Sequence, residues 1–409
     1  MLMSPDILSL PLAEPIKRPP RVMVSPLYDF EFLGGQNFYT GENSSLSMDA
    51  NGLVAPAMKF NDNWSVLPSL MTSYNGTRQV VDLVGGGTFF QSQWDNEAAV
   101  KVIYTPTDSN WRIKPYSDFK YEFLQQSTQE QLGQGLYDYY QWDAGASAEY
   151  VYKDPFSIRF GADYYAVHFP NYTSLESQAA TEFQGQSLAR ELVGNYVLDS
   201  QNVLLTVSAD APVLGKFIAQ GQAGVLYADY PQQHLVDASG NLDSPVRTDI
   251  TTILGGNLQY PWRIEDGVKA LASFGVNYLY DSSNQNSFDA SQSQYIPFFY
   301  NYGQLTVTPD FKLFIGPDAN PIAWEISGTW WYDRYPHRLI QDGSGTYLGR
   351  DLYTNNWMLQ SSLSYPMAPH FGLIFNVQYG RGTSNDQFQE FYQYSFTTAT
   401  YMFGVSYDY

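Results

Sequence analysis

Charged side chains recur at alternate positions of one extended segment. Arg112, Lys114, Asp118, Lys120 and Glu122 occupy even positions, while Trp111, Ile113, Phe119, Tyr121 and Phe123 occupy odd ones. Successive side chains of a strand point to opposite faces, so the five charges share one face. Glu97, Lys101, Glu149, Arg159 and Asp163 continue the pattern in neighbouring segments, and Lys269, Asp310, Lys312, Glu325 and Asp333 repeat it further along. A mixed-charge wall of this kind has two chemical readings. It can set up a transverse field that sorts ions, or it can be a network of ion pairs, each worth ~0–1 kcal/mol where water reaches it. The spacing leaves both open.

Other chemistry is thin. His168, His234, His337 and His370 are scattered, without HxxxH or HExxH spacing, so neither a metal nor another cofactor is expected. DASGNLD at 237–243 lacks the twelve-residue ligand pattern of a calcium loop. With no GxSxG elbow, no enzyme activity is expected, and a Ser/His dyad acting on lipid is a lesser reading. The absence of Cys excludes disulfides and thiolate metal sites. A net charge of -20, from 41 acids against 21 bases, argues against a nucleic-acid partner.

The elements that must position these charges are strands. Phe156, Ile158, Phe160, Ala162 and Tyr164 alternate with Ser157, Arg159, Gly161 and Asp163; Val268–Tyr280, Trp324–Tyr332 and Trp357–Tyr365 alternate likewise. Such runs recur about sixteen times, from 21–33 and 44–60 through 216–230, 247–262, 323–336 and 351–365 to 391–409. Short links such as Asn61–Asn63, Lys153–Pro155 and Pro366–Pro369 alternate with long polar ones near 169–191, 231–247, 282–297, 337–350 and 380–390. Aromatic residues make up 17% of the chain and charged ones only 15%, a balance suited to strands with one oily and one wet face. No stretch approaches the 18 or so apolar residues of a membrane helix, so any spanning falls to strands. These features predict an all-β chain: a single antiparallel transmembrane β-barrel over 21–409, with short periplasmic turns and long external loops. Residues 1–20, rich in Pro, are expected to form an extended periplasmic segment. A soluble array such as a propeller is the competing architecture, but no blade-length repeat is visible.

The last residues carry a more specific signal. Tyr401, Phe403, Val405, Tyr407 and Tyr409 alternate with polar or small residues, and the final one is aromatic. This resembles the terminal strand that bacterial outer-membrane barrels of the porin-like superfamily present to their assembly machinery. The resemblance implies the outer membrane of a Gram-negative bacterium, with outer-membrane lipid and lipopolysaccharide around the barrel, and an export signal absent from this start. A porin-like channel for small hydrophilic solutes is the leading functional expectation. A structural or export barrel within an envelope complex, with a periplasmic partner docked through residues 1–20, is the alternative, and a surface enzyme or adhesin is the third. Under the channel reading Glu97, Lys101, Arg112, Lys114, Lys120, Glu122, Glu149, Arg159, Asp163, Lys269, Lys312, Glu325 and Asp333 line the lumen. The segment Asn171–Glu191 either folds inward to narrow it or caps the mouth, and 281–294, polar and poor in bulky groups, is expected to face solvent or lipopolysaccharide sugar.

Overall fold

The computed structural model describes residues 22–409 except 41–43, 83–86, 128–129, 154–155, 173–181, 184–185, 188–189, 214, 290–291 and 389–393. The expected segment 1–20 and the turn residues 154–155 lie outside the described residues. The chain forms one closed antiparallel barrel of sixteen strands. They are β1 (Tyr28–Tyr39), β2 (Ser45–Val54), β3 (Trp64–Asn75), β4 (Ser92–Tyr104), β5 (Trp111–Gln125), β6 (Tyr139–Lys153), β7 (Phe156–His168) and β8 (Ser200–Val213). The second half comprises β9 (Phe217–Val236), β10 (Leu242–Glu265), β11 (Val268–Ser283), β12 (Tyr302–Ile315), β13 (Ile322–Gln341), β14 (Tyr347–Ala368), β15 (Phe371–Ser384) and β16 (Phe396–Asp408). Each strand pairs with its sequence neighbour, and β16 returns to β1 in a register running from Asp29 opposite Asp408 to Tyr39 opposite Thr398. Closure leaves no strand edge and satisfies the backbone within the sheet.

The first strand corrects the sequence reading. It spans Tyr28–Tyr39 rather than 21–33, because Gly34-Gly35, which reads as a turn, lies inside the strand. Its link to β2 is therefore shorter than the expected 34–43. The 44–60 run is also broken: Ala57–Lys59 is a separate short strand that pairs with Met23–Ser25 at the short-turn rim.

Segments expected as loops at 231–247 and 337–350 turn out to be largely strand. β9 and β10 run for 20 and 24 residues, and β13 and β14 for 20 and 22, about twice what a tilted crossing needs. Both tall hairpins bulge, at Tyr230/His234 and at Tyr335/Leu339. A bulge bends a ladder, and beyond it Gln233, Val236, Arg338 and Ile340 are buried. Both hairpins close with the same turn. Asp237 Oδ1 accepts from the amides of Ser239 and Asn241, and Asp342 Oδ1 from those of Ser344 and Thr346. Gly240 and Gly345 supply the positive φ, at 78° and 84°. The calcium-like DASGNLD is thus a turn signature.

No central apolar core holds the described barrel together. Its large apolar residues face outward, and its small buried clusters sit at the seam (Leu33, Ile374, Met402) or at the long-link end (Phe169, Tyr172, Val197, Leu198; Tyr335, Ile340, Leu352, Tyr394).

Candidate functional site: the interior of the barrel

Register fixes which side chains meet inside. Arg112, Glu149 and Arg159 lie directly opposite one another across β5, β6 and β7. Glu149, almost fully buried, accepts from Lys114 Nζ at 2.5 Å and Arg159 Nη2 at 2.9 Å, with Arg112 Nη1 at 3.6 Å. One turn of the wall further up, Lys120 Nζ bridges Glu122 at 2.6 Å and Asp95 at 3.2 Å, and the Tyr139 hydroxyl donates to Glu122. Between these groups the balance is acidic. Asp118 and Asp143 stand opposite each other, and Tyr116 Oη donates to Asp163 at 2.5 Å across the intervening Gly145, where a Cβ would collide with that carboxylate and ring. Lys101 lies over the Tyr116 ring, 5.6 Å from its centre, and Glu97 is paired in register with Lys120.

The remaining expected residues are dispersed. Lys312 Nζ meets Glu325 at 3.0 Å across β12 and β13, and Asp333 accepts from Gln304 and Thr354 at 2.8 and 2.7 Å. Lys269 turns to the rim, where it pairs with Asp318 in the short turn at 2.7 Å. The wall of β8–β12 between these groups is mostly amide and hydroxyl: Ser208, Gln220, Gln222, Asn257, Asn277 and Thr308 share its inner face.

Above the long-link end the structure is packed. The Arg247 guanidinium is bound to Asp249 at 2.5 Å and lies between the rings of Tyr230 and Tyr300, 4.3 and 4.1 Å from their centres. Arg338 lies likewise between Phe299 and Tyr335. Consecutive residues Phe299 and Tyr300 therefore cover cations from two separate hairpins. The 281–294 segment does not simply face solvent as expected: Asp281, Ser283, Gln285 and Ser287 are all buried. Gln285 bonds the carbonyl of His234 and the amide of Val236, filling the gap under the β9–β10 hairpin. Of Asn171–Glu191 only the ends belong to the described side chains. Asn171 donates to the Gly133 and Gly135 carbonyls, and Glu191 is buried beside Tyr300.

The outer surface decides what medium surrounds this cylinder. Phe32, Leu46, Leu70, Val100, Phe119 and Trp142 on β1–β6, Phe160, Leu205, Val225, Leu254 and Phe274 on β7–β11, Ile315 at the end of β12, and Ile326, Leu359, Phe375 and Phe403 on β13–β16 are all exposed, so every strand contributes to an apolar exterior. An apolar surface encircling the molecule far exceeds the patches water-soluble monomers expose. Hydrocarbon can cover it, and a closed sheet is the only β structure that tolerates hydrocarbon. The chain is a transmembrane β-barrel. Trp64, Trp111, Trp324, Tyr365 and Tyr407, all exposed near the short turns, fit the aromatic girdle of such a barrel.

No family model matches this sequence, and neither does any curated protein sequence. Among solved structures the barrel is similar to a bacterial polysaccharide outer membrane secretin, with 8% identity over 94% of this chain and 98% of the other at a TM-score of 0.43. OccAB1 of Acinetobacter baumannii shares 10% identity over 94% and 96% of the two chains, TM-score 0.46. OccD3 (OpdP) of Pseudomonas aeruginosa shares 9% over 98% and 97%, TM-score 0.43. The assignment of the barrel rests on its own closure and its apolar exterior.

Sequence reasoning passed over several of these groups. Asp143 and Tyr116 were legible, since both sit on the charged face of their strands by simple alternation. The amides of β8–β12 were equally so, but uncharged residues draw no notice. Glu191, Arg247 and Arg338 carried no local signal, because their partners come from loops far away in sequence. Among the described residues no group of three metal-ligating side chains occurs, and His168 is bonded to Asp199.

Proposed function

We propose that this barrel is a water-filled, porin-like channel for small hydrophilic solutes. The observation that carries the reading is the inner wall, polar strand after strand on a barrel of sixteen strands, a size at which an aqueous lumen remains after the side chains are placed. In this reading the charged residues from Glu97 to Asp333 named above line the conduit, with Lys269 at its rim. Carboxylates outnumber cations along β4–β7, so the channel favours cations over anions. Outer-membrane lipid surrounds the wall, and the barrel works without a catalytic step. Planar-bilayer recording of the purified protein tests this: steady openings with potassium preferred over chloride are expected, and persistent silence would overturn it.

A structural or export barrel is the second reading, and one observation favours it. The tall hairpins and the β11–β12 link over β9–β14 are packed, with Gln233, Gln285, Tyr300 and Arg338 all buried, as suits a lumen roofed on one side. Silence in the bilayer together with co-purification of an envelope partner would favour this reading over the first.

A further inference from the structure

The inner face of β8–β12 holds a cavity of about 460 Å³ in the half of the barrel next to the short turns. Its lining differs from the charged wall of β4–β7 beside it. Ser208, Gln220, Gln222, Asn257, Asn277 and Thr308 dominate it, and Asp210 and Asp310 stand at its two sides. Arg159 reaches its edge but is already committed to Glu149 at 2.9 Å.

Glycines create the space. Gly255 lies in register between Gln222 and Asn277, and Gly275 lies between Asn257 and Thr308. A Cβ at Gly255 would strike the Asn277 and Gln222 amides, and one at Gly275 the Thr308 hydroxyl. The polar tips therefore lie along the wall over backbone, and the volume above them stays open.

Hydrogen-bonding capacity is left over in that volume. Gln222 Nε2 donates to Asn277 Oδ1 at 3.4 Å and Asn257 Nδ2 to Gln220 Oε1 at 3.2 Å. Each amide offers two N–H donors and a carbonyl with two lone pairs, so one bond leaves most of it unused. Asp310 Oδ1 takes a long 3.4 Å bond from Ser273.

We propose that this cavity is a binding site for uncharged polyhydroxylated solutes of mono- or disaccharide size, an inference that rests on the channel reading. A hydroxyl both donates and accepts, as the amides require, and a carboxylate on either side accepts from neighbouring hydroxyls. The same carboxylates repel a sugar acid, and an apolar solute would strand the amides unpaired. The volume falls in the range of small-molecule sites.

Sucrose and gluconate are the probes, used on the intact barrel in two ways. In planar bilayers, millimolar sucrose is expected to interrupt the single-channel current, with gluconate at least tenfold weaker. Calorimetric titration of sucrose into the detergent-solubilised barrel is expected to give heat that falls at least tenfold in affinity in Asn257→Leu, a variant first checked for the heat-dependent gel shift of a folded barrel. Steady conductance with neither block nor heat overturns the site and leaves the channel standing. No conductance at all overturns the channel and the site with it. Gluconate binding as tightly as sucrose overturns the assignment to neutral solutes.

Discussion

The hydroxyl of Tyr300 donates to Glu191 Oε1 at 3.2 Å, joining the end of the β7–β8 link to the β11–β12 link across 109 residues. Burial pushes the Glu191 carboxyl up from 4.5 to about 7, against the opposing pull of Ser287, Tyr300 and Arg247. Arg247 gives only partial relief because Asp249 already holds it, and Tyr230 and Tyr300 cover its faces. A carboxyl whose docked value is raised binds its proton more tightly docked than free. Docking of this segment is therefore firmest below pH 4.5 and weakens as pH rises through about 7. Protection of the amides of residues 195–199 against exchange, taken relative to the intrinsic rate at each pH, is expected to be higher at pH 5 than at pH 8. Glu191→Gln removes the difference and keeps protection high at both; protection that still falls with pH in that variant would contradict the account.

Glu149 gathers three cations, and its removal leaves them uncompensated. Lys114, Arg159 and Arg112 have side chains 18, 42 and 48% exposed, so water recovers part of the loss. Glu149→Gln is therefore expected to cost only about 1 kcal/mol of stability. Its larger effect is on permeation: the zero-current potential in a potassium chloride gradient moves toward chloride, and Lys114→Gln moves it the other way. A potential unchanged in both variants would place this wall off the ion path.

The fold was legible wherever two media meet the sheet. Phe156–Tyr164 and Trp324–Tyr332 alternate because one side of each strand meets oil and the other water, and both lie in strands. Where the tall hairpins leave the bilayer, the oily side is lost and the alternation with it. Pro231–Val236 and His337–Gln341 consequently read as loop although they continue the ladder. The Asp-x-x-Gly turns that close both hairpins were in plain view. The charged face was legible residue by residue, but its pairing was not. That Glu149 rather than Glu97 collects three cations follows from strand register, which alternation alone does not set.

Neighbouring positions on β14 separate the two faces. Leu363 is exposed on the outer side between Trp324 and Phe375, and Ser362 lies on the inner side between Glu325 and Asn376. Leu363→Arg puts a charge into hydrocarbon next to the girdle residues Trp324 and Tyr365 and is expected to cost about 1–2 kcal/mol, between the interface and midplane values. Ser362→Arg lands beside the Glu325 carboxylate in the lumen and should cost less than about 1 kcal/mol. Urea unfolding in lipid vesicles measures both, and equal costs would contradict the assignment of oil and water to the two faces.

The seam between β1 and β16 depends on glycine at two particular positions. A Cβ on Gly35 would run into the Tyr401 carbonyl oxygen and the Met402 backbone, and one on Gly404 into the Phe32 carbonyl and Leu33. Gly34, one residue away, has nothing within 4 Å of where its Cβ would stand. Because these obstacles are backbone rather than flexible tips, relief requires the two strands to part. Parting would strain the bonds from Asn37 Nδ2 to Thr398 and Thr400, at 3.0 and 2.9 Å. Gly35→Ala and Gly404→Ala are expected to cost at least about 1–3 kcal/mol, whereas Gly34→Ala should be neutral or stabilise by roughly 0.5 kcal/mol. The seam is also where the damage matters most, since a misfit between first and last strands leaves two unpaired edges in hydrocarbon. The first two variants should thus show a smaller fraction of the heat-sensitive folded band on a detergent gel and a lower urea midpoint. If Gly35→Ala folds and closes as well as Gly34→Ala, the close approach at the seam is not what holds the barrel shut.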